Sequence, residues 1–137
     1  MLEKLQIACD SAGKEDAEKV QKILVENGFE ATLVQKEVNP AELVLVILNA
    51  HSSEESLYLS LPWLKDQFAY SSYKGFRLFP ILVYSPAKEN PEKLFEGELG
   101  KMYENVFSAE FKPFGWKREN DVLDGEFLRV LSDSYGE

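Results

Sequence analysis

Leu43-Val44-Leu45-Val46-Ile47-Leu48 is the longest unbroken apolar run in this 137-residue chain. Consecutive side chains without a polar member leave no face for water, so a strand here is covered on both sides. Such a strand belongs at the centre of a mainly parallel sheet with helices packed above and below it. The run is far too short to cross a bilayer, which takes about 20 apolar residues.

Upstream, Leu5-Gln6-Ile7-Ala8-Cys9 reads as a first strand, and Asp10-Ser11-Ala12-Gly13 breaks it as a turn. From Lys14 the period changes. Ala17, Val20, Ile23 and Leu24 form one apolar stripe, with Lys14, Glu15, Glu18, Lys19 and Lys22 left for the wet face. Asn27-Gly28 ends this helix, and Phe29 to Val34 follows as a second strand with Phe29, Ala31 and Leu33 on one face. Strand, helix, strand in this order predicts parallel pairing. Between Val34 and Leu43 there is too little chain for a second full crossover helix, and Asn39-Pro40 punctuates it.

Downstream, His51-Ser52-Ser53-Glu54-Glu55 carries a helix start: Ser52 with Glu55 has capping-box spacing, and Ser53 is a competing cap. The helix expected from Glu54 to about Tyr70 is interrupted by Pro62, which either opens a new helix or kinks a longer one. Phe76 to Tyr84 is the next strand, and Pro80 inside it weakens a central position and permits an edge or bulged one. Gly97 and Gly100 interrupt any helix between Leu94 and Met102. Val106-Phe107 reads as a last short strand before the aromatic segment Phe111 to Trp116, and Val122, Leu123, Phe127, Val130 and Leu131 supply the stripe of a terminal helix. The fold expected is a three-layer, doubly wound α/β domain, flavodoxin-like, occupying residues 1–137 as one unit.

Composition narrows the function. Fifteen Lys and Arg against 24 Asp and Glu give a formal charge of −9, with no basic cluster interleaved with aromatics, which argues against nucleic acid. The N-terminus has no basic region leading into an apolar run, so no signal peptide is expected. One cysteine, Cys9, rules out an internal disulfide and fits the reducing cytoplasm. One cysteine and one histidine leave little for a soft-metal site, and no metal is expected.

Open parallel sheets place their sites beyond the C-terminal ends of the strands. That edge gathers Asp10-Ser11-Ala12-Gly13, Asn49-Ala50-His51-Ser52 and Ser85-Pro86. Asp10 reads as a turn and cap residue or as a carboxylate ligand. A magnesium and phospho-acceptor site needs clustered carboxylates, whereas Asn49 follows the central run. No glycine-rich phosphate loop is present. His51 is a loop histidine bonded near Asn49 or a ligand contact. Trp63 and Asp66 stand three apart, and an indole beside a carboxylate suits an aromatic base or a ribose; the plainer alternative is a packed tryptophan with a surface acid.

The order of these segments resembles the Toll/interleukin-1 receptor-like (TIR-like) family over roughly residues 5–84. Ile7 to Asp16, then Ala17 to Gly28 and Phe29 to Leu33, is similar to the family's opening strand, polar loop, helix and second strand. Ser60-Leu61-Pro62-Trp63-Leu64-Lys65-Asp66 looks like its S-x-W-x-x-E helix region in loose spacing, and Lys74 to Val83 is similar to its next strand. The resemblance implies a doubly wound sheet and one of two activities: assembly through homotypic or TIR-like partners, or cleavage of the nicotinamide–ribose bond of NAD by a glutamate. Asp66 stands at that glutamate's position as the candidate catalytic residue, with Asp10, Ser11, His51 and Trp63 as candidate ligand contacts. Aspartate reaches one methylene less, and catalysis is sensitive to displacements of about 1 Å. The sequence therefore favours a noncatalytic interaction or signalling domain without a cofactor, NAD entering only as substrate or ligand. A nucleoside deoxyribosyltransferase-like enzyme is a further alternative, disfavoured because Asn49 stands where that family's strand-end acid is expected.

Overall fold

The computed structural model describes residues 4–39, 42–66, 77–107, 113–120, 122–123 and 125–135. Five strands, β1 (Lys4–Cys9), β2 (Glu30–Val34), β3 (Leu43–Leu48), β4 (Arg77–Tyr84) and β5 (Phe114–Lys117), form one sheet in the order β2-β1-β3-β4-β5. Every pair is parallel. The helices are α1 (Lys14–Glu26), α2 (Glu54–Ser60), α3 (Pro91–Glu96), α4 (Glu98–Phe107) and α5 (Gly125–Tyr135), with 3-10 turns at Ser11–Gly13 and Pro62–Asp66. This is a three-layer, flavodoxin-like α/β fold.

Alternation along the strands divides the core in two. Leu5, Ile7, Leu45, Ile47, Ile81 and Val83 pack with Val20 and Leu24 of α1 and Phe127 and Leu131 of α5. On the opposite face Ala8, Val44, Val46, Leu48 and Leu82 pack with Leu57 of α2, Trp63 and Leu64 of the second 3-10 turn, and Met102 and Val106 of α4. All of β3 is buried, as its apolar run requires. Helix α1 stops where expected: Gly28 takes a φ of 89°, the left-handed conformation that glycine adopts without strain.

Where a second crossover helix is missing, polar and aromatic side chains close the gap. Gln6 donates from Nε2 to the Asn39 carbonyl at 2.7 Å, and its Oε1 accepts from the Asn39 N–H at 2.8 Å. The Trp63 indole, 6% exposed, lies against the same connection and donates to the Gln35 carbonyl at 2.6 Å.

Three details differ from the expectations. Pro80 sits in an interior strand rather than an edge or bulge. It pairs in register with Val46, but β5 begins to pair only at Ile81, so no ladder is lost on that flank. Val106 and Phe107 end α4 instead of forming a strand, because they complete the stripe begun by Leu99, Met102 and Tyr103. Val122 precedes α5 and is 74% exposed, outside the buried stripe. Of the two cap candidates for α2, the structure selects Ser53, which accepts from the Ser56 N–H at 3.1 Å. Pro62 starts the second 3-10 turn after α2 ends at Ser60; the helix expected beyond Asp66 lies outside the described residues.

Candidate functional site

In an all-parallel sheet every strand ends at the same edge. The residues that follow four adjacent strands are Asp10, Asn49, Ser85 and Arg118. Three of them join one network with Asp16 of α1, and Asp10 lies buried beside them.

Arg118 is the hub. Its Nε donates to Asp16 Oδ1 at 2.9 Å and its NH2 to Asp16 Oδ2 at 3.2 Å, a two-pronged pair. Its NH1 donates to Ser85 Oγ at 2.5 Å and, at the limit of bonding distance, to Glu89 Oε1 at 3.5 Å. A longer contact from NH2 reaches the Val83 carbonyl at 3.4 Å. The five N–H groups of a guanidinium thus all face protein acceptors. Asp16 holds the Arg118 pKa above its ordinary value, chiefly through the side-chain hydrogen bond. Lys19 of α1 donates to the Arg118 carbonyl.

Asn49 extends the network across the central strand. Its Nδ2 donates to Asp16 Oδ2 at 3.1 Å and to the Ala12 carbonyl at 2.9 Å, while its Oδ1 accepts from the His51 N–H at 2.9 Å. Ser52 Oγ accepts from the Asn49 N–H at 3.0 Å, which explains why Ser52 is not the cap of α2.

Above this network lies an open cleft of about 520 Å³, whose rim includes Ser11, Lys14, Glu15, His51 and Glu89. Three carboxylates (Glu15, Asp16, Glu89) face two cations (Lys14, Arg118) there, so the cleft offers no net attraction to an anion. Among the described residues no group of three or more His, Cys, Asp or Glu side chains is placed to hold a metal ion.

The sequence-derived candidates divide. Ser11 and His51 border the cleft. Asp10 is 1% exposed and caps the first 3-10 turn, its Oδ1 accepting from the Gly13 N–H at 3.1 Å. Burial pushes the Asp10 pKa up, against the opposing pull of the Ser56 hydroxyl and the Gly13 and Ser53 N–H groups, and its Oδ2 has no hydrogen-bond partner. Trp63 is committed to the core near β2, away from the cleft lining. Asp66 closes the second 3-10 turn, and its side chain lies outside the described residues. Cys9 is buried, and desolvation pushes its thiol up to about 11, leaving it protonated at neutral pH.

Arg118, Asp16 and Glu89 were not singled out by the sequence. Arg118 sits in the charged stretch Lys117-Arg118-Glu119, which carries no local mark of a buried partner, and Asp16 is 102 positions away.

No family model matches the sequence, and no curated protein matches it. Among the described residues no helix is long and apolar enough to cross a membrane.

Proposed function

We propose that this chain is a noncatalytic interaction or signalling domain of the TIR-like kind, working through protein contacts rather than through chemistry at the sheet edge. The observation that carries this reading is the mutual engagement of three of the cleft's charged groups, Asp16, Glu89 and Arg118. Arg118 and Asp16 are locked in a two-pronged pair, Asn49 holds the second Asp16 oxygen, and Glu89 accepts from the Ser85 N–H at 2.8 Å. A general base or nucleophile needs an open lone pair within reach of substrate. Asp10 and Trp63 also fall outside the cleft that Ser11 and His51 border, so the four proposed ligand contacts do not line one pocket.

The test is nicotinamide release from NAD by the full chain, over a range of protein concentrations that permits assembly, beside Asp66→Ala and Asp66→Glu. No release by the parent is the expected result. Turnover by the parent that is lost in Asp66→Ala would overturn the proposal and establish Asp66 as a working acid. A gain of turnover in Asp66→Glu alone would support it, because the missing methylene would then be what silences the site.

A further inference from the structure

We propose that the cleft at the sheet edge binds a small basic α-amino acid, such as arginine, whose two cationic groups and one carboxylate match the charges that the rim leaves open. The site adds a ligand to the interaction-domain reading and does not depend on it.

The strand order β2-β1-β3-β4-β5 sends the chain in opposite directions after β1 and after β3. Helix α1 packs on one face of the sheet and α2 on the other, so the segments that follow these two strands part and leave a crevice. Ligands of open parallel sheets sit at this divergence. The cleft there, about 520 Å³, falls within the size range of small-molecule sites. Its floor is fixed in advance. Asp16 is held by Arg118 and Asn49, and Asn49 Oδ1 in turn holds the His51 N–H at 2.9 Å. A floor ordered before binding spares part of the entropy cost of association.

The rim decides the ligand. Asp16 and Arg118 cancel within their pair. Lys14 and Glu15 are exposed, and neither side chain has a hydrogen-bond or ion-pair partner among the described residues. Glu89 uses only Oε1, which accepts from the Ser85 N–H and from Arg118, and its Oε2 stays open. One cation and two carboxylates therefore remain, in a chain whose formal charge is −9. That balance repels phosphates and dicarboxylates and attracts a ligand with one positive charge in excess. A simple amine leaves Lys14 unanswered, and a neutral amino acid leaves one carboxylate unanswered. A basic amino acid answers all three. Lys14 and Glu15, which open α1, take its carboxylate and α-ammonium, and Glu89, on the connection between β4 and α3, takes the side-chain cation. The Ser11 hydroxyl and the His51 imidazole add neutral donors and acceptors at the same rim.

Isothermal titration calorimetry of the full chain at low ionic strength tests this, with circular dichroism to confirm that each variant is folded. The probes are L-arginine, agmatine (the same cation without the carboxylate) and L-glutamate. L-arginine is expected to bind with a dissociation constant of about 0.1–1 mM, more tightly than agmatine, and L-glutamate is expected to give no binding heat. Glu15→Gln is expected to weaken L-arginine roughly five- to tenfold, between the value of an exposed ion pair and that of a charged hydrogen bond. Lys14→Gln is expected to weaken L-arginine to a similar degree while leaving agmatine no weaker than in the parent. No binding of L-arginine up to about 10 mM overturns the proposal. So does binding indifferent to both substitutions, or agmatine bound as tightly as L-arginine by the parent. None of these results touches the interaction-domain reading, which the nicotinamide-release assay tests separately.

Discussion

Arg118 and Asp16 stand 102 residues apart and meet as a fork on a carboxylate, Nε to Oδ1 at 2.9 Å and NH2 to Oδ2 at 3.2 Å. The pair ties the end of β5 to the first turn of α1, across strands that are not neighbours. Asp16 is the more buried partner, its side chain 11% exposed against 33% for Arg118. Arg118→Met strands that carboxylate with Asn49 as its remaining side-chain donor, and a loss of about 2 kcal/mol is expected after allowing for the exposed guanidinium. Arg118→Lys is expected to recover only part, since an ammonium cannot reproduce the fork. Urea denaturation measures both. Loss of less than about 0.5 kcal/mol in the methionine variant would mean the pair is a surface contact.

Trp63→Ala is expected to cost about 3–5 kcal/mol, because a nearly buried indole leaves a cavity that the sheet cannot collapse into. Trp63→Phe retains most of the volume but loses the donor to the Gln35 carbonyl, a further cost of about 1 kcal/mol. Denaturation midpoints of the two variants separate packing from hydrogen bonding.

Gly100 lies inside α4, yet a Cβ there would meet the Phe95 carbonyl oxygen at 1.9 Å. The backbones of α3 and α4 touch at this point, and only glycine permits it. Gly100→Ala is expected to destabilise by about 1–3 kcal/mol or more as the helices are forced apart. Gly97→Ala is the control, its nearest neighbour being the Leu94 carbonyl at an ordinary 3.9 Å. Equal thermal shifts in the two variants would contradict the close approach.

Asp10 gives a pH signature of defined sign. Its folded-state pKa is raised above the ordinary 3.8, chiefly by burial. Below that value both folded and unfolded chains hold the proton and the group is neutral to stability. As pH rises above 3.8 the unfolded chain ionises first, so stability falls until the folded state ionises too, then stays at that lower level. Asp10→Asn keeps an acceptor for the Gly13 N–H and removes the buried charge. It is expected to be more stable than the parent at pH 7, with the difference vanishing at acid pH. Parallel stability curves from pH 3 to pH 7 would contradict this.

The elements that could be read from sequence were those with a local cause. Leu43 to Leu48 has no polar face, so it is central. Asn27-Gly28 has the one residue suited to positive φ, so α1 ends there. The site edge was also legible, because parallel strands all end on one side. Arg118 was not, because its meaning lies in partners distant in sequence. Val106-Phe107 misled because two apolar residues alone carry no period; the stripe they belong to begins at Leu99, upstream of the interrupting Gly100. Pro80 misled because β5 is short enough to leave that position unpaired on one flank.

The helix-free link between β2 and β3 has a consequence for the order of events during synthesis. Its inner wall is the indole of Trp63, contributed by chain that leaves the ribosome after β1, β2 and β3 have all been made. Val34 and Val38 pack, partly buried, against the cluster to which that ring belongs. That face of β1 and β3 is covered only by later chain, Leu57 of α2, Trp63 and Leu64 of the second 3-10 turn, and Met102 and Val106 of α4. A stall between Leu48 and Trp63 would leave a nascent chain with β1, β2 and β3 made but β4, β5 and the indole that seals the link all still to come.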